Sequence, residues 1–280
     1  MHLNKKSLII LASIGIFAFS CSKDNNDSGT YTSAGKDEAI AEYLFSDIFS
    51  QTDLATNQLE DGLFGPGMSK SVDAGCATIT IAPYDTISWP KTVIIDFGDT
   101  NCQGVDNKYR RGRIQAGLTG RYRDSLTVIT ITPEDFYVND YRVDGQKTVT
   151  NLGHVTEGHM TFDVVISDAV ITFPGGKWFS YNSHRTRVWV EGEVTDWPVV
   201  ADDVYELTGS SDGTTYENVN FHSEITSPLR IERDCRWIVS GRIDLTPQGL
   251  ATRTLDYGDG YCDSDVTLTI GGKTYQIKLP

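Results

Sequence analysis

Along the chain the apolar positions recur with three different periods, and each predicts a different kind of segment. From Leu8 to Phe19 they are almost continuous, broken only by Ser13 and Gly15. A run of about a dozen residues is shorter than the roughly 20 needed to span a bilayer, so it reads as the apolar core of an export signal. From Lys36 to about Glu60 the spacing becomes helical. Ile40, Tyr43, Leu44 and Ile48 recur at three and four residues, with Asp37, Glu38, Glu42 and Asp47 largely off that stripe. The pattern predicts a helical segment over 36–61, lying on a sheet by its apolar stripe, with Thr52-Asp53 as the place where it would divide in two.

From Cys76 onward the period is two. Ala77–Ile81 and Thr92–Ile95 read as strands, and Ile114, Ala116, Leu118 and Tyr122 share one face by alternation. Asp124-Ser125 turns into Leu126–Ile131, and Asn139-Asp140 marks a hairpin tip. Gly175-Gly176 and Gly271-Gly272 sit between β-runs, where both positions accept positive φ. So many short strands without intervening helices predict an all-β region of antiparallel sheets, sandwich-like, barrel-like or an extended meander, with one N-terminal helix. The expected order is a signal peptide over 1–20, a polar tether over 21–35, the helix, and a β-rich region over 68–280. Gly65-Pro66-Gly67 marks the linker into the β-region. Periodicity does not decide whether that region is one domain or two.

The cysteines add a covalent frame. Lys5 and Lys6 precede the apolar run, and Ala18-Phe19-Ser20 places small residues three and one positions before Cys21. A lipoprotein signal would make Cys21 the acylated first residue of the mature chain. An ordinary secretory signal would also accept this boundary and would leave Cys21 a free thiol. The chain has five cysteines, an awkward number in an oxidising compartment unless one is otherwise occupied. With Cys21 lipidated, four remain. Cys76 and Cys102 are 26 residues apart, and Cys235 and Cys262 are 27 apart. Asp96-Phe97-Gly98-Asp99 and Asp256-Tyr257-Gly258-Asp259 lead into the second cysteine of each pair. This repeat favours bridges Cys76–Cys102 and Cys235–Cys262, in units spanning 76–123 and 235–280. Thiolate zinc ligation is the competing reading, but the close Cys-x-x-Cys spacing is missing.

Charge and chemistry narrow the function less. The formal net charge is −14, which argues against nucleic acid and against basic adhesion to anionic lipid. No cofactor motif is found, no serine is expected in a Gly-x-Ser-x-Gly nucleophile elbow, and no glycine-rich phosphate loop precedes a helix. His154 and His159 flank a turn, and they, His184 and His222 read as surface histidines. Asp256, Asp259, Asp263 and Asp265 crowd one turn and form a weak calcium candidate. Arg185, Arg187 and Trp189 alternate on one strand face, with Trp178 and Tyr181 upstream. If Val188 and Val190 face the core, these five side chains form an outward ladder able to stack on sugar rings, or one that simply stabilises the sheet.

The segment Ser20-Cys21-Ser22-Lys23-Asp24, the two Asp-aromatic-Gly-Asp turns, Thr148-Val149-Thr150-Asn151 and the closing Gly271-Gly272-Lys273-Thr274-Tyr275 resemble Bacteroidota surface and outer-membrane lipoproteins. That group carries no assigned activity, so the resemblance brings no functional residues with it. The expected protein is a cell-envelope lipoprotein, palmitoylated at Cys21 and held on the outer membrane, facing the surface or the periplasm. It would act as a non-enzymatic module binding a glycan or a protein, or as a structural part. A glycoside-hydrolase-like enzyme with a carboxylate pair and a carrier of apolar ligands are the alternatives.

Overall fold

The computed structural model describes residues 32–64, 71–73, 76–85, 87–195 and 201–280. The signal segment, Cys21, most of the tether and the Gly65-Pro66-Gly67 linker lie outside them. One helix, α1 (Ser33–Phe64), is followed by strands only. These are β1 (Ser71–Asp73), β2 (Thr78–Ala82), β3 (Lys91–Asp96), β4 (Cys102–Gln103) and β5 (Tyr109–Leu118). Next come β6 (Val128–Val138), β7 (Tyr141–Thr156), β8 (His159–Thr172), β9 (Trp178–Glu191) and β10 (Val204–Thr214). The series ends with β11 (Asn220–Glu232), β12 (Ile238–Pro247), β13 (Arg253–Asp259), β14 (Asp265–Ile270) and β15 (Lys273–Lys278).

All strands join one antiparallel sheet in near-sequential order, with β4 a side strand on β5. The β-region is therefore one meander rather than two packed halves. The hairpin tips expected at Asn139-Asp140, Gly175-Gly176 and Gly271-Gly272 all stand between paired strands. Both disulfides are those the repeat favoured, Cys76–Cys102 and Cys235–Cys262.

α1 runs unbroken through Thr52-Asp53. The Thr52 and Thr56 hydroxyls donate to the carbonyls of Ile48 and Thr52, four residues back, so these polar groups are satisfied within the helix without breaking it. The larger departure concerns its surroundings. Ala39, Leu44 and Ile48 are 0% exposed, and so are Asp37 and Glu38 on the expected solvent side. α1 does not lie on a sheet by one stripe; it is enclosed. Its side chains and backbone meet groups on β5, β7, β9, β10 and β11, and Gly35 abuts Leu268 of β14. Those strands span most of the sheet's breadth, so the sheet curls around the helix. Among the described residues the strand path stays open, with β1 and β15 at its ends.

Bends in the long strands make that curl. The pairing register slips between Arg111 and Arg113, Asp144 and Gln146, Leu207 and Ser210, and Ser240 and Arg242, and a glycine occupies each slip. Such bulges bend a strand and raise its twist locally. Gly209, with φ of 117°, lets β10 approach the His184 carbonyl of β9 so closely that an added Cβ would stand 2.3 Å from its oxygen.

Candidate functional site

The enclosed helix determines what faces the interior. α1 offers a column of carboxylates, and the strands answer with cations. Glu42 accepts from Tyr181 Oη at 2.7 Å and from Arg185 Nε at 3.1 Å. Glu38 accepts from Arg185 Nη2 at 3.1 Å and from the Ser211 and Ser223 hydroxyls. One turn further, Asp47 accepts from Lys108 Nζ at 2.8 Å and Arg110 Nε at 3.0 Å, and Asp53 meets Arg233 at 3.2 Å. Lys147 Nζ donates to the Phe45 carbonyl at 3.0 Å. Burial raises Glu38, and the neighbouring Glu42 adds to the rise, although Arg185 opposes it. Burial works against the charged form of Asp47 too, but Lys108 and Arg110 hold it below the ordinary carboxylate range. Low surrounding dielectric makes these pairings strong and an unpaired member costly.

Beside the C-terminal half of α1 the enclosure leaves a cleft of about 580 Å³. One wall carries Ile79, Ile95 and Phe97 with the Cys76–Cys102 bridge. The other is the β11–β12 connection with Cys235, Arg236 and Trp237. Arg236 ties the walls together, its Nη1 donating to the Asp106 carbonyl at 2.8 Å while its guanidinium lies 3.9 Å from the Trp237 ring centroid. The two disulfide units, far apart along the sheet, thus meet across one opening. Ser46, Ser50, Ile231 and Arg233 also line a second, smaller cavity of about 40 Å³, so the two spaces adjoin. The volume of the cleft falls within the roughly 300–1,000 Å³ typical of small-molecule sites.

The outward ladder expected on β9 is inverted. Tyr181, Arg185, Arg187 and Trp189 are 0%, 2%, 5% and 3% exposed and point inward, whereas Val188 and Val190 are half-buried on the other face. Only Trp178 is outside, at 57%. The reason is the helix: its acids require cations on the inner face, and strand alternation then carries the whole set of odd-numbered side chains inward. These residues cannot serve as a sugar-stacking surface.

Asp256, Asp259, Asp263 and Asp265 do share a surface depression. Asp256 is paired with Arg242 and Asp265 with Lys278, while Asp256 and Asp263 also cap backbone amides. Among the described residues no group of three or more side chains is placed to hold a metal ion. His154, His184 and His222 lie on the exposed face of the sheet, each against a carboxylate. Gly209-Ser210-Ser211-Asp212-Gly213 does spell the Gly-x-Ser-x-Gly pattern that the sequence reading passed over, but it lies within β10 rather than at a strand-to-helix turn. Ser211 there is buried against Glu38 and Ser223.

Sequence reasoning missed Arg110, Lys147, Arg233 and Trp237. A usable signal existed in β9, which is polar at both parities, with Asn182, His184 and Thr186 alternating with Ser183, Arg185 and Arg187. A strand with polar residues on both faces implies a buried polar partner. Comparison with protein-family models, with curated proteins and with solved structures finds no match.

Proposed function

We propose that the protein is a lipid-anchored cell-envelope module that binds a small organic ligand in the cleft between α1 and the β11–β12 connection. The observation that carries the reading is the cleft itself: a concave space with mixed apolar and charged walls, braced by two disulfides and by the Arg236–Asp106 hydrogen bond. Disulfides fit an oxidising compartment, and with all four of these cysteines paired, the odd one is Cys21, at the position a lipoprotein signal requires. Burial of the β9 arginines removes the surface first considered for glycan or protein contact. The resemblance to Bacteroidota outer-membrane lipoproteins is consistent with anchoring there through acyl chains on Cys21.

Binding is favoured over hydrolysis by the state of two of the acids in the wall, Asp47 and Asp106. Hydrolysis by a carboxylate pair needs one acid held protonated near neutrality. Asp47 and Asp106 are instead held low by Lys108 and Arg110, against the effect of burial. The buried acids that are raised, Asp37, Glu38 and Asp203, line neither cavity.

Trp237 provides the assay. Titration of the purified mature chain with a library of organic acids, amides and sugars should yield ligands that change its fluorescence, and Trp237→Ala should lose them while keeping its fold. Silence across the library, together with no co-purified small molecule in native mass spectra, would overturn the binding reading. Intact mass of protein from its native host should show an acylated Cys21; a free thiol there would remove the anchor.

A further inference from the structure

The small cavity at the inner end of the cleft has an unbalanced charge. Four cations line it, Lys147, Arg185, Arg187 and Arg233, against one carboxylate, Glu42. Glu42 is already engaged by Arg185 and Tyr181, and Arg233 has Asp53. Arg187 has no carboxylate partner among the described residues. Its guanidinium carbon lies 3.9 Å from the Phe49 ring centroid and 3.5 Å from that of Tyr205. Arg185 Nη1, Arg187 Nε and Arg233 Nη1 are all buried without a hydrogen-bond partner. A buried donor left unmade costs about 1–3 kcal/mol, and more when charged, so native interiors hold few of them. Here three belong to residues that line one cavity.

Size and wall chemistry define what would satisfy them. A space of about 40 Å³ takes a group of a few heavy atoms, since one water needs roughly 10–15 Å³ by the same measure. Guanidinium forks match the planar, two-oxygen geometry of a carboxylate. The remaining wall is apolar, with Phe45, Phe49, Val164, Ile166 and Leu207, which disfavours a multiply charged, heavily hydrated phosphate. Ile231 lines both spaces and so stands at the boundary between this cavity and the larger cleft.

We propose that this inner cavity receives the carboxylate of a small organic acid whose body extends outward into the larger cleft. The proposal rests on the reading of that cleft as a ligand site and names its ligand class. Lys147 supplies a second sign of the same chemistry. Burial, and next the charge of Arg187, lower it to about 7, with Glu42 pulling the other way. An anion beside it would restore its proton. The groups facing it are Arg187 on β9 and Glu42 with the Phe45 carbonyl on α1.

The test compares acetate, butyrate and hexanoate with hexanamide and with sodium chloride, by calorimetry and thermal shift on the full mature chain. Hexanoate should bind at least about tenfold more tightly than hexanamide, with proton uptake near neutral pH and weakening as pH rises through the Lys147 range. Arg187→Met and Lys147→Met should each weaken hexanoate by about tenfold or more and leave hexanamide unchanged. Methionine keeps the stem volume, and neither side chain has a salt-bridged carboxylate among the described residues that the change would leave unpaired. The comparison of acid and amide on the unaltered protein holds even if a variant fails to fold. Equal affinity for acid and amide would overturn the proposal, as would chloride displacing hexanoate at comparable concentration. Hexanoate binding that survives Arg187→Met but is lost in Trp237→Ala would sink the carboxylate site and keep the cleft reading. No binding of any probe by either route would sink both.

Discussion

Asp37 shows what enclosing a helix costs a single residue. It is 0% exposed, and both its oxygens lack a well-formed hydrogen bond. Burial raises it from 3.8 to about 7, the Tyr216 amide offsets part of the rise, and Glu217 adds to it. The folded protein therefore keeps this proton to higher pH than the unfolded chain. Stability contributed by the protonated form is complete below about pH 4 and falls as pH rises towards 7, where the unfolded state has already released its proton. We predict that Asp37→Asn changes stability little at about pH 4 and stabilises by on the order of 3 kcal/mol at about pH 8. Urea unfolding at the two pH values reads the difference; an equal effect at both would show that Asp37 is not the titrating group. The sequence placed Asp37, Glu38, Glu42 and Asp47 on the solvent side of an amphipathic helix. Helical periodicity ranks the faces of α1 against each other but carries no information on what stands opposite them, and here the opposite side holds Arg185, Arg110 and Lys108.

At the scale of elements, the turns and the strand alternation were legible because they are local. Asn139-Asp140 and the paired glycines mark tips whatever the sheet does next. Parity on β9 was not legible, because choosing the inner face by apolarity presumes an apolar interior. Nor was the curl, although isolated glycines inside strands signal bulges. Gly209 is the clearest case, with positive φ and the His184 carbonyl 2.3 Å from where a Cβ would stand. Alanine there must both strain its backbone and push β9 from β10. We predict a loss on the order of 3 kcal/mol for Gly209→Ala, at the upper end of ordinary single substitutions. Gly175→Ala, at a hairpin tip with nothing within 4 Å of its Cβ position, should be near neutral. Denaturant midpoints of the two variants side by side decide the matter, and similar midpoints would mean that the bulge tolerates a side chain.

At the scale of the molecule, the sheet answers the question that periodicity left open, whether the β-region is one unit or two. The disulfide units lie at the two ends of a single sheet, which bends until the early one and the late one form the two walls of one cleft. Each bridge closes a loop of 26 or 27 residues, which the chain-entropy account values at about 3.5 kcal/mol, or about 10 °C in melting temperature for a domain of this size. Stability alone does not separate the two bridges, but the cleft does. Cys235 is adjacent in sequence to Arg236, and Cys235–Cys262 fixes the segment that carries Arg236 and Trp237; Cys76–Cys102 fixes the wall on which Asp106 receives the Arg236 hydrogen bond. Loss of either bridge should therefore free the same contact from opposite sides. We predict that the double variants Cys76→Ser with Cys102→Ser, and Cys235→Ser with Cys262→Ser, melt lower by similar amounts, each with a red-shifted, more quenchable Trp237 emission well below the melting point. Trp237 is half-buried in the intact protein, so added exposure at low temperature reports an opened cleft rather than global unfolding. Unchanged emission in the first variant, with the expected loss of stability, would show that the two walls are held independently and that the cleft is not a single braced site.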